Sequence, residues 1–171
     1  KELGLWALDA PEEFGGANLR TAVMLAIQEK LKRTGTPFIF PPDSPNLHML
    51  QAVASPEQKV KYMQPYAQGE MKSCIAISEP GAGGDPADMK TAAVREGDEW
   101  VINGRKIWTT NSPIADYCII FCQTDPERAA ARKGGISAFL VPTSAPGFEV
   151  ESIIRMHGPV GGNEAQLVFE D

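Results

Sequence analysis

Cysteine and histidine are scarce in this sequence, and basic residues are outnumbered. Its 171 residues include three cysteines and two histidines. An odd cysteine count with no CxxC pair excludes a disulfide framework and a zinc site. Cys118 and Cys122 share one face of the alternating run Tyr117 to Gln123 and, with Cys74, read as buried small hydrophobes in a reducing compartment. His48 and His157 make no metal site, and no acid is spaced to complete a triad with a serine. Lysine and arginine number 16 against 22 acids, a net charge of -6. An acidic chain gains nothing from counterion release, which argues against a nucleic-acid partner. No apolar run approaches the roughly 20 residues of a membrane helix. Lys1 to Ala10 has no signal-peptide pattern and the chain does not begin with methionine, so both ends read as arbitrary cuts. Cysteine usage fits the cytoplasm, or the mitochondrial matrix if the source is eukaryotic.

What is present is ordinary for a globular protein: 43% apolar and 22% charged residues. The hydrophobic period changes near residue 72. Before it, Val23, Ala26, Ile27 and Leu31 recur at helical spacing, with Asn18 as the expected cap and Gly35 and Pro37 as the stop. A shorter helix is expected over Leu47 to Val53. Ser55-Pro56-Glu57-Gln58 predicts a capping box, with Val60, Met63 and Ala67 facing inward. Four prolines between Thr36 and Pro45 read as a packed connector.

From Lys72 onward the period is two. Ser73 to Ser78 predicts a short strand. Asn103-Gly104 predicts a type I′ turn joining Glu99–Ile102 to Arg105–Trp108. Further strands are expected at Tyr117 to Thr124, Ile136 to Pro142, Phe148 to Ser152 and Gln166 to Glu170. The expectation is an α+β chain: a partial helical domain over 1–71, then a small antiparallel β-barrel-like domain over 72–171.

Three segments could carry chemistry. Ser78-Glu79-Pro80-Gly81-Ala82-Gly83-Gly84-Asp85 follows a strand, and its glycines could turn backbone amides toward a phosphate. It lacks the lysine of a P-loop and the spacing of a dinucleotide fingerprint; a sharp surface loop is the plain alternative. Trp108-Thr109-Thr110-Asn111 could stack beside an aromatic cofactor and hydrogen-bond its heteroatoms, or simply be a core tryptophan at a strand end. Arg128, Arg132 and Lys133 could meet the phosphates of a nucleotide-like substrate, or form a solvated loop. No residue stands out as a general base.

Read together, these segments resemble one family. Ile75-Ala76-Ile77-Ser78-Glu79-Pro80-Gly81-Ala82-Gly83-Gly84-Asp85 is similar to the first acyl-CoA dehydrogenase signature. Ile102-Asn103-Gly104-Arg105-Lys106-Ile107-Trp108-Thr109-Thr110-Asn111 is similar to the second, in the same order. Pro11-Glu12-Glu13-Phe14-Gly15-Gly16, Pro146-Gly147-Phe148 and Leu167-Val168-Phe169-Glu170-Asp171 extend the resemblance nearly end to end.

The resemblance implies FAD as cofactor and α,β-dehydrogenation of an acyl-CoA thioester, with the β-hydrogen leaving as hydride to flavin N5 and an electron-transferring flavoprotein as acceptor. Ile75, Ala76, Ile77 and Ser78 would run along the flavin ring, and Gly83 and Gly84 would lie near the phosphates. Trp108 would lie against the ring, Thr109 would follow it, and Thr110 would reach N5. Gly84 and Lys133 would face substrate. The family's serine is replaced by Gly84, a departure that bears on substrate geometry. The glutamate that takes the α-proton is expected in a C-terminal helical domain, so no catalytic base is expected within this chain. A homo-oligomer, tetramer or dimer, is implied. Acyl-CoA oxidases, related flavin monooxygenases and a non-catalytic relative remain alternatives on the same scaffold.

Overall fold

A computed structural model describes residues 2–35, 40–42, 44–156 and 163–170. The chain is α+β and divides into two compact units, Lys1–Met71 and Lys72–Asp171. The expected Thr36–Pro45 connector and His157 lie largely or wholly outside the described residues.

In the first unit, the backbone of residues 16–19 folds back on residues 7–11. Asn18 N–H donates to Ala10 O (2.9 Å) and Leu19 N–H to Leu8 O (2.8 Å). A Cβ on Gly16 would sit 2.0 Å from Ala10 O, so only glycine allows this approach. Asn18 is therefore committed to the preceding loop, at φ 48°, and does not cap the helix. Helix α1 starts later, at Thr21–Lys32, after Arg20 and without a side-chain cap. The expected inward stripe is also corrected. Met24 is buried, Val23 is 45% exposed, and Ile27 and Leu31 are half-buried. Val23 to Ile27 is an unbroken apolar run, so spacing alone could not choose its inner face.

Helix α2 spans Ser44–Val53. Helix α3 (Pro56–Gln58) opens on the expected capping box: Gln58 N–H donates to Ser55 Oγ (3.2 Å) and Ser55 N–H to Gln58 Oε1 (2.9 Å). A π turn, Lys59–Met63, then separates it from α4 (Gln64–Gln68). Its wider i→i+5 bonding shifts the phase of the helix. Val60, expected to face inward, is 65% exposed, while Tyr62, Met63, Tyr66 and Ala67 are buried.

The second unit is one seven-stranded sheet. Its strands are β1 (Ser73–Ala76), β2 (Ala92–Glu96), β3 (Glu99–Thr110), β4 (Tyr117–Gln123), β5 (Ile136–Pro142), β6 (Phe148–Ile153) and β7 (Glu164–Phe169), with a short helix α5 (Pro126–Ala130) before β5. The order is β1-β4-β2-β3-β7-β6, with β5 also on β4. Most pairs are antiparallel, but the edge strand β1 runs parallel to β4, with Cys74 opposite Cys118. Cys74, Cys118, Cys122, Ile120, Leu167 and Phe169 form part of one core cluster. All three thiols are free. Burial pushes the Cys122 thiol up to about 12.

The predicted hairpin is corrected. Strand β3 runs straight through Asn103-Gly104, with Asn103 opposite Ala92 and Gly104 opposite Phe169. The turn falls at Gly97-Asp98, between Glu96 and Glu99, with Gly97 at φ 62°. A two-residue loop starting with glycine closes a hairpin as well as Asn-Gly does. Gly104 serves another need: a Cβ there would lie 2.5 Å from Thr91 Oγ1.

The central polar contact of this unit joins Glu79, after β1, to Lys106 on β3. Nζ to Oε1 is 2.8 Å, and the side chains are 6% and 0% exposed. Burial pushes the Glu79 carboxyl up, but hydrogen bonds from Lys106, Thr91 and Lys90 together outweigh it and hold the group below its ordinary value of 4.5. A depressed carboxyl contributes stability that is fully present above its unfolded value and is lost as pH falls through the folded one. Acid titration followed by circular dichroism should therefore show a loss of stability below about pH 4.5 that Glu79→Gln flattens. Lys106→Met leaves a buried carboxylate without its cation and should cost about 3–5 kcal/mol in chemical denaturation at neutral pH.

Candidate functional site

The two motif segments meet at one place. Ile107 N–H donates to Ser78 O (2.9 Å). Lys106 Nζ, one residue earlier, donates to Ile77 O (3.0 Å) as well as to Glu79. Glu79 also accepts from Lys90 N–H (2.6 Å) and Thr91 N–H (2.9 Å), which fixes the approach to β2. Ile75, Ala76, Ile77 and Ser78 thus pass along the sheet edge and are tied at their far end to the segment that leads into Trp108. Because β1 is an edge strand, one row of its backbone groups lies outside the ladder. The carbonyls of Ile77 and Ser78, just beyond β1, are already taken.

Strand β3 carries a bulge where its register with β7 shifts between Lys106 and Thr109. Within it Trp108 takes φ 61° and is 54% exposed. A large side chain in the left-handed region costs about 1–3 kcal/mol and is held there only by its surroundings. Thr109 beside it is 1% exposed, and its Oγ1 has no partner among the described residues. Thr110 is exposed. Asn111, at φ 66°, ends the strand and donates its N–H to Asn163 O (2.8 Å).

The glycine loop is built differently from a phosphate nest. Glu79 to Ala82 forms a tight turn, with Ala82 N–H to Glu79 O at 3.1 Å. Gly81, Gly83 and Gly84 all avoid the left-handed region, so they lack the alternation that aims successive amides at one point. Their contribution is open space: a Cβ at Gly83 or Gly84 would meet nothing within 4 Å. Asp85 accepts from Ala87 N–H (3.0 Å) and pairs with Arg132 (2.6 Å). These contacts, the amide first and Arg132 next, hold its carboxyl below the ordinary range.

The expected basic patch is corrected by the same contacts. Arg132 is engaged by Asp85 and by Asp88 (3.0 Å), and the Arg128 guanidinium donates to Lys133 O at 3.1 and 3.3 Å. Of the three, Lys133 alone has a charged group without a partner among the described residues, and it is exposed. A cavity of about 500 Å³ lies beside Glu79, Lys90, Thr91, Arg105 and Phe169, and none of Ile75–Ser78, Gly83, Gly84 or Trp108–Thr110 lines it. Sequence reasoning assigns no role to Glu79, Lys106 or Thr91. The signal for the first two was an acid in one motif and a lysine in the other.

Among the described residues no group of three or more metal-ligating side chains is present, and no helix is long and apolar enough to cross a membrane.

Comparison with known proteins agrees with this arrangement. Residues 1–70 match the acyl-CoA dehydrogenase N-terminal domain and residues 74–171 the acyl-CoA dehydrogenase middle domain. The human mitochondrial short-chain specific acyl-CoA dehydrogenase is 39% identical over 99% of this chain, which spans 41% of that protein's length. A solved acyl-CoA dehydrogenase from Geobacillus kaustophilus superposes with a TM-score of 0.81 at 32% identity, over 99% of this chain and 45% of that one. A glutaryl-CoA dehydrogenase from Mycobacterium smegmatis, solved in complex with FADH2, superposes with a TM-score of 0.61 at 32% identity, over 74% of this chain and 31% of that one. With two family domains matched in order and both signature segments joined in the structure, the chain belongs to the acyl-CoA dehydrogenase family.

Proposed function

We propose that the protein carrying this chain is an FAD-dependent acyl-CoA dehydrogenase, and that the unit Lys72–Asp171 holds the flavin ring and part of the acyl-CoA. The observation that supports this most is the Ser78–Ile107 hydrogen bond, reinforced by Lys106. It sets the edge backbone of Ile75 to Ser78 beside the segment that presents Trp108 and Thr110.

These residues fit a flat heteroaromatic ring. Trp108 offers an exposed aromatic face, Thr110 and Ser78 offer hydroxyls, and Thr109 carries a buried oxygen without a partner among the described residues. Gly83 and Gly84 leave side-chain-free space where phosphates would approach. Bound FAD would supply the acceptor for the two electrons leaving the acyl chain. Trp108 would stack on the ring and keep water from one side, Thr110 would orient it by hydrogen bonding, and Lys133 would meet a substrate phosphate.

The motif acids are not available to take a proton: Glu79 is bound to Lys106, and Asp85 to Arg132. The base for the α-proton is proposed to lie outside this chain, as the family resemblance implies. An electron-transferring flavoprotein is the proposed acceptor and a homo-oligomer the proposed assembly.

The test is the visible spectrum of the protein made from its whole reading frame, before and after anaerobic addition of acyl-CoAs. Bleaching of a flavin band is the expected result; a flavin band that no acyl-CoA bleaches would sink the dehydrogenase reading. If a neighbouring subunit completes the flavin site, as the proposed homo-oligomer allows, residues 1–171 alone should bind FAD weakly and reduce no acceptor, and tight stoichiometric binding would contradict that. Trp108→Ala should weaken FAD binding by up to about tenfold, read by fluorescence titration, the scale of one aromatic contact. Gly84→Ser enters open space and should leave the melting temperature unchanged while altering KM for acyl-CoA.

A further inference from the structure

Strands β3 and β7 place an acid beside the proposed ring site that neither motif contains. Thr110 stands opposite Glu164, and Thr109 opposite Ala165. Directly opposed residues of an antiparallel pair share a face. Burial follows that rule here. Thr109 and Ala165 are sealed on the inner face, while Thr110 is exposed and Glu164 half-buried on the outer one.

The Glu164 carboxyl is incompletely hydrogen-bonded among the described residues. Its Oε2 is closed off from solvent and finds no hydrogen-bond partner among the described residues. The donors that might have reached it are committed elsewhere. Gln166, two residues along the same face, gives its amide to Glu151, and Arg105 pairs with that same Glu151. Asn163 Nδ2 turns to Asn111 Oδ1 (3.4 Å). A carboxylate oxygen shut from water and left without a donor is destabilising. Such an arrangement is understandable where a ligand completes it.

We propose that Glu164 is an acidic member of the flavin site, facing the ring seated against Trp108 and Thr110, and that its negative charge holds down the ring's reduction potential. This rests on the reading of the site as flavin-binding. Reduction adds electrons to the ring. A fixed negative charge within contact distance, in a partly dewatered place, opposes that gain. In this role Glu164 acts through its charge alone.

The test compares midpoint potentials of the FAD-loaded protein and its variants, measured by dye equilibration. Glu164→Gln keeps the shape and removes the charge, and it should shift the potential upward and move the visible flavin band. Glu164→Asp keeps the charge and should stay close to the parent. Glu151→Gln removes the same unit of charge one strand farther away, on β6, and should shift the potential less, which controls for net charge. Near-ultraviolet circular dichroism establishes that each variant is folded. A Glu164→Gln protein that binds flavin at the parent potential overturns the proposal, as does an equal shift in Glu151→Gln. If the parent binds no flavin at all, the reading of the site fails first, and this inference with it.

Discussion

An ammonium group without solvent exposure has to find its compensation inside the protein. Lys106 finds it in the Glu79 carboxylate, the Ile77 carbonyl and, at 3.8 Å, the Met89 sulfur. Desolvating two charges costs several kcal/mol per ion, which good geometry and added hydrogen bonds must offset. Here the carboxylate takes two backbone amides besides the lysine. Those amides belong to Lys90 and Thr91, the residues that lead into β2. One ion pair therefore sets the exit of β1, the entry of β2 and the middle of β3. Trp108 lies two residues beyond Lys106, so its placement depends on a contact that it does not itself make.

Much of this was legible in the sequence, for identifiable reasons. The change from helical to alternating periodicity reported an α+β chain because each period follows from backbone geometry alone. The Ser55–Gln58 box was legible because a cap is a local bargain among four consecutive residues. The misreadings came where a local signal had a tertiary competitor. Asn103-Gly104 looks like a turn, but Gly104 is needed to let Thr91 approach. Meanwhile Gly97-Asp98 closes the hairpin with fewer flanking cues. Val60 was placed inward by counting a regular helix, and a π turn has no clear sequence mark. The basic residues near 130 read as a patch because the acidic partners of Arg132, Asp85 and Asp88, are distant in sequence, while Arg128 turns back to the Lys133 carbonyl. Glu164 could not be singled out at all. Its significance lies in what fails to reach it, and an unmet hydrogen bond leaves no trace in a string of letters.

The bulge ahead of Thr109 links strain to site. Trp108 sits at a backbone angle that a bulky residue rarely adopts, and its ring is half open to solvent. Packing alone would favour neither. Thr109 follows Trp108 with a buried hydroxyl, and Glu164, opposite Thr110, has a sealed oxygen, both without a partner among the described residues. Three local costs gathered at one strand end mark a surface shaped for an occupant rather than for the stability of the isolated unit.

The edge strand β1 has a further consequence, in how molecules of this protein avoid one another. An open strand edge is a template on which a second chain can add a strand and begin to aggregate. Strand β1 is only four residues long, and the carbonyls just beyond it, at Ile77 and Ser78, already accept hydrogen bonds from Lys106 and Ile107. An intruding strand would find a short run of free groups followed at once by acceptors in use. The contacts that join the two motif segments thus also shorten the stretch on which unwanted pairing could start, giving the same lysine a part in keeping the folded chains apart.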